Sequence, residues 1–124
     1  MELAARIDAA TTTGQALLDA LQARIDRLDL PGERITLPAF HCARFTLEQD
    51  ASDQGVTLRA AFHPSEFYCI GFVLVHDNGS TYAEYHVMRL HPTRPRWFIE
   101  AVEAWLRDGE IRTDLRLAEM PGGV

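Results

Sequence analysis

From Thr12 to Gly32 the apolar positions recur at intervals of three and four: Leu17, Leu18, Leu21, Ile25 and Leu28. That spacing is one stripe of an amphipathic helix. Thr12 and Gln15 fit a capping box, in which both side chains satisfy backbone N–H groups at the helix start. Pro31 and Gly32 supply the stop. Upstream, Leu3, Ile7 and Ala10 continue the period, so helical structure reaches back to about Glu2. The run Thr11–Gly14 is weakly helical, which leaves 1–14 either continuous with the helix or a separate helical piece.

After Gly32 the period shortens to two. In "RITLPAFHCARFTLE", Ile35, Leu37, Ala39, His41, Ala43, Phe45 and Leu47 share one face. Pro38 cannot donate to a ladder, so this strand lies at an edge or begins after the proline. "VTLRAAFH" follows, with Val56, Leu58, Ala60 and Phe62 inward. "FYCIGFVLVH" and "TYAEYHVMRL" then flank "DNGS", and Asn-Gly between apolar runs predicts a two-residue hairpin turn. In "TRPRWFIEAVEAWLRDG" the residues Phe98, Val102, Trp105 and Leu106 return to helical spacing. Thr93 and Pro95 suit its start and Gly109 its end. The tail 110–124 packs in part, around Ile111, Leu115 and Leu117.

The pattern therefore predicts one α+β domain over 1–124, in the order α-β-β-β-β-α. A four-stranded antiparallel meander carries the N- and C-terminal helices on one face, as a two-layer sandwich.

If Asn78 and Gly79 are the whole turn, Asp77 pairs with Ser80 and the faces of the hairpin follow. Gly71 lies opposite His86, Val73 opposite Glu84, Cys69 opposite Met88 and Val75 opposite Tyr82. Ile70, Phe72, Leu74, Ala83, Tyr85 and Val87 then face the helices, and Glu84 and His86 face away. The open face also receives Cys42 and Arg44 from the first strand and Thr57, Arg59 and His63 from the second. A row Arg44, Arg59, Gly71, His86 with Glu84 diagonal to it is a candidate ligand site. Two arginines suit a carboxylate or phosphate, His86 with Glu84 suits proton transfer, and Gly71 leaves a dent between them. Val73, Val75, Tyr82 and Met88 make the same face apolar enough to be an interface.

Composition narrows the chemistry. A hydrophobic share of 47% in 124 residues supports a packed core. The net charge of −6 opposes nonspecific nucleic-acid binding. All 12 cations are arginine, which excludes a Schiff-base lysine and a phosphate-loop lysine. The longest apolar run, Phe67–Val75, is too short to span a bilayer, and the charged start lacks a signal-peptide pattern. These features point to a soluble cytoplasmic protein that binds neither nucleic acid nor membrane. Cys42 and Cys69 are expected as buried or half-buried free thiols, and His41 as a hydrogen-bonded core residue. Compact zinc spacing, a nucleophile elbow and glycine-rich phosphate loops are all missing, so no metal, cofactor or catalytic residue is expected. Two functions remain. One is a non-enzymatic module that binds a protein partner or a second copy of itself through the open face. The other is an anionic-ligand protein or enzyme using Arg44, Arg59, Glu84 and His86 around Gly71.

Overall fold

The computed structural model describes residues 3–49, 55–62 and 70–120. One long helix, α1 (Leu3–Asp26), precedes six strands: β1 (Arg44–Gln49), β2 (Val56–Ala61), β3 (Gly71–Val75), β4 (Thr81–Leu90), β5 (Trp97–Arg107) and β6 (Glu110–Glu119). Each strand pairs antiparallel with the next, in the order β1-β2-β3-β4-β5-β6. Among the described residues the fold is α+β, with six strands rather than four and no C-terminal helix. Among the described residues no helix is long and apolar enough to cross a membrane.

Helix α1 runs unbroken through Thr11–Gly14. Tertiary contacts supply what local propensity lacks there. The ring of Phe40 lies so close to Gly14 that a Cβ would sit 2.3 Å from its Cε1. Gln15 does not cap the helix. Its Oε1 accepts the Phe40 N–H at 2.8 Å. Two turns later, Gln22 Nε2 donates to the Ile35 carbonyl and Gln22 Oε1 accepts from the Leu37 N–H, both at 2.8 Å. The two glutamines thus hold the extended segment before β1 against the helix. That segment closes in a 3₁₀ turn, Phe40–Cys42, so the first strand begins after Pro38. His41 and Cys42 are exposed there, not in the core. Cys69 and His63 lie outside the described residues.

The core lies between α1 and one face of the sheet. Leu17, Leu18, Leu21 and Ile25 pack with Leu58, Ala60, Val73, Ala83, Ile99, Val102 and Ala104. The expected inward face of β2 is observed, with Leu58 and Ala60 fully buried. The expected inward face of β3 is reversed. The hairpin closes with His76 N–H donating to the Ser80 carbonyl, so its loop is Asp77-Asn78-Gly79, with Gly79 at φ +87°. A three-residue loop ending in a left-handed glycine is the next commonest hairpin after the two-residue form. One extra loop residue shifts the register by one. Gly71 pairs with Tyr85, Phe72 with Glu84, Val73 with Ala83, Leu74 with Tyr82 and Val75 with Thr81. Gly71, Val73 and Val75 therefore face the helix, and Phe72 and Leu74 face away.

The segment expected as the second helix is β5. Asp108 and Gly109 form a two-residue turn, with Asp108 at φ 54° and Gly109 at φ 76°, and Arg107 pairs with Glu110. Two positive-φ residues define a type I′ hairpin. The helical appearance of "WFIEAVEAWL" comes from irregular pairing. Partners His86↔Ala101 and Arg89↔Ile99 leave an extra residue on β4, and Ala101↔Arg116 and Ile99↔Leu117 leave one on β5. A bulge resets side-chain parity. Ile99 and Val102 both face the core, a spacing of three that imitates a helix.

Candidate functional site

The face of the sheet away from α1 carries no second described layer. Cross-strand partners set its rows. One runs Thr46, Arg59, Leu74, Tyr82, Trp105, Arg112, and the next Arg44, Ala61, Phe72, Glu84, Glu103, Asp114. The rows put Glu84 beside Glu103 across the strands, an arrangement that repels unless something neutralises it.

Arg116 and Tyr82 provide that. The Arg116 fork grips Glu84 with both ends: Nη1 to Oε1 at 2.9 Å and Nη2 to Oε2 at 3.0 Å. Its Nε donates to Glu100 Oε2 at 2.9 Å. Glu100 is the extra residue of the β5 bulge, which brings its carboxylate to Arg116. The Tyr82 hydroxyl contacts Glu84 Oε1 at 2.8 Å and also Glu103 Oε2. A phenol has one hydrogen, so the two carboxylates share it. His86 Nε2 lies 2.6 Å from Glu84 Oε2. An ionised carboxylate only accepts, which places the imidazole proton on Nε2.

Glu84 is thus 7% exposed on a face with no covering layer among the described residues. Its neighbours cover it. Burial alone would raise its pKa, but the hydrogen bonds from Arg116, Tyr82 and His86 outweigh burial and hold the carboxyl below its ordinary range. Tyr82 moves the other way. Burial, then the bonds to Glu103 and Glu84, push its hydroxyl pKa far up, so it stays protonated. The bond to Glu84 raises the Arg116 pKa further. Glu84 stays anionic and Arg116 cationic.

Around this network lies an apolar strip. Phe72 and Tyr82 meet at 6.0 Å between ring centroids, and the Arg59 guanidinium sits 5.8 Å from the Phe72 centroid. Arg59 also pairs with Glu48 at 3.6 Å. Leu74 and Trp105 are half-buried beside them.

Of the candidate ligand residues, Glu84 and His86 are brought into contact. Arg59 lies on the same face, but in the row of Leu74 and Tyr82. Arg44 is exposed on β1, separated from His86 on β4 by both β2 and β3. Gly71 is buried and faces the helix. The Tyr85 ring fills the space where its Cβ would be, 2.6 Å from Cδ2, so the expected dent is occupied. Of the candidate interface residues, Tyr82 lies on the open face. Val73 and Val75 face the core, and Met88 is 65% exposed at the β4 bulge with φ 52°. Sequence reasoning missed Arg116, Glu100 and Glu103, because two were assigned to a helix and one to the tail. The Asp-Gly pair at 108–109 was the signal for a hairpin that places them here.

The arrangement can orient His86 through Glu84, as a base is oriented in a hydrolytic triad. No hydroxyl or thiol bonds to His86 among the described contacts. Depressions open elsewhere: about 320 Å³ beside Ile25–Ile35, 620 Å³ between the two hairpin turns, 270 Å³ between Arg6 and Asp77, and 210 Å³ between His76 and Trp105. None of these four is lined by Glu84, His86 or Arg116. Among the described residues no cluster of His, Cys, Asp or Glu is arranged to hold a metal ion. Neither the family models, nor the curated proteins, nor the solved structures contain a match to this chain.

Proposed function

We propose that this chain is a non-enzymatic module that docks a partner protein through the outer face of its sheet. One observation carries the reading: Glu84, Arg116 and Arg59 are paired within that face, and the apolar strip beside them has no covering layer among the described residues. Arg116 is committed to Glu84 and Glu100, and Arg59 to Glu48 and the Phe72 ring. Neither is held open for a carboxylate or phosphate ligand, which weakens the anion-binding alternative. Phe72, Leu74, Tyr82 and Trp105 form a strip rich in aromatic groups, the composition enriched at protein interfaces. The pre-paired ions fix its shape and cost little further desolvation on docking.

Site-specific photo-crosslinking in the native cell tests this. A photoreactive residue at Leu74 should capture a discrete polypeptide, and adding Trp105→Glu should abolish the capture. The same probe at Arg34, on the opposite side of the molecule from the strip, should capture none. Equal capture at both positions would overturn the proposal.

A further inference from the structure

Among the described residues no strand pairs with the outer edge of β6, and that edge carries a pattern of its own. β6 is ten residues long and holds neither proline nor glycine, and the bulge that breaks its ladder lies on β5. Natural edge strands are normally blunted by such devices or by charges that repel a second copy. Here the outward charges alternate in sign: Glu110, Arg112, Asp114, Arg116.

The two-residue turn also fixes which backbone groups are free. Arg107 and Glu110 close the hairpin as a hydrogen-bonded pair, and pairing alternates from there. Ile111, Thr113 and Leu115 therefore direct their N–H and C=O groups away from β5. The Leu115 N–H is capped instead by its neighbour's side chain, Asp114 Oδ1, at 2.8 Å. An outward N–H held by a local carboxylate is ready for exchange with an incoming strand.

We infer that β6 pairs antiparallel with β6 of a second copy, with Thr113 on the two-fold axis. In that register Thr113 faces Thr113 of the second copy and Ile111 faces Leu115. Arg112, bonded to Glu110 of its own strand at 3.2 Å, faces Asp114 of the second copy and gains a second carboxylate. Glu110 lies across from Arg116, which keeps its bonds to Glu84 and Glu100. Each contact occurs twice by symmetry. Apolar meets apolar on the helix side and opposite charges meet on the outer side, the pairings that stabilise a sheet. Moving the axis one residue destroys the match. Centred on Asp114, Asp114 meets itself and Arg112 meets Arg116. Centred on Arg112, Arg112 meets itself and Glu110 meets Asp114. Centred on Leu115, Asp114 still meets Arg116 but Arg112 faces Ala118, so the register centred on Thr113 is the one that matches all four charges.

The resulting dimer is one continuous sheet with two outer strips side by side. It does not depend on a partner at either strip, so the two proposals fail separately.

A charge swap read by sedimentation over a concentration series tests the pairing. The wild-type chain should dimerise. Arg112→Asp opposes acidic groups at both symmetric contacts and should weaken the dimer by roughly tenfold or more. Asp114→Arg should do the same. The double variant Arg112→Asp with Asp114→Arg restores opposite charges and should recover the dimer. Both residues are exposed, and unchanged thermal unfolding of the variants will show that folding is intact. A monomeric wild type, a dimer indifferent to Arg112→Asp, or a double variant that stays as weak as the singles would each overturn the register. Leu74→Glu should leave this dimer unchanged.

Discussion

β4 has two sides that are held by different physics. On the inner side Ala83 and Val87 pack against α1 with other apolar groups, and many neighbours share the contact. On the outer side Tyr82, Glu84 and His86 are held by directed bonds, several of which end on one arginine. The inner side tolerates reshaping at a graded cost, because burial is roughly proportional to area. The outer side is conditional. Glu84 is buried only while Arg116, Tyr82 and His86 surround it, and losing one partner leaves the rest badly placed.

The difference can be sharpened by substitution. The largest expected effect is on the inner side. Leu21→Ala removes a fully buried side chain at the centre of the helix stripe and should cost about 2–5 kcal/mol in urea unfolding. On the outer side, Arg116→Ala leaves the Glu84 carboxylate buried without its main partner. Breaking a fully buried pair costs more, but the Arg116 side chain is 40% exposed, and water will replace part of the bond. A loss of about 1–3 kcal/mol is expected. A loss below 0.5 kcal/mol, on the order seen at ordinary surface positions, would show that the network is only surface decoration.

A smaller effect separates the two sides by pH. The folded state lowers the Glu84 pKa below its ordinary value of 4.5. Its contribution to stability is complete above that value and is lost as the pH falls through the lower folded-state pKa. Glu84→Gln should therefore flatten the acid limb of the stability curve below about pH 4.5, and Leu21→Ala should lower the whole curve without changing its shape. An acid limb unchanged by Glu84→Gln would show that other carboxylates set it.

Much of this architecture was legible in the chain. The stripe Leu17–Leu28 gave α1, and the alternation of Leu58 and Ala60 gave the inward face of β2. Glu84 and His86 were placed on the open face, because burying them against α1 is costly whatever the exact register. The failures have local causes. Asn-Gly and Asp-Gly are nearly equivalent as turn signals, yet the first closes a three-residue loop and the second a two-residue one. Loop length, which neither dipeptide fixes, decides parity, so Phe72 and Leu74 exchanged faces with Gly71, Val73 and Val75. The bulges near Met88 and Glu100 then gave β5 a false helical period. Reading a helix there hid Glu100 and Glu103, and reading a tail beyond it hid Arg116. The candidate site was half visible for that reason: the anion was in view and its cation was not.

The make-up of the outer face depends on which side of β3 is which, and adjacent residues test that directly. Val73 is fully buried and Leu74 faces outward. Thermal unfolding of Val73→Glu and Leu74→Glu should give opposite results. The buried charge at 73 should cost several kcal/mol and abolish or nearly abolish cooperative folding. The charge at 74 should leave a cooperative transition within a few degrees of wild type. The opposite outcome, a tolerated glutamate at 73 and a destructive one at 74, would restore the two-residue turn register and contradict the outer face described above.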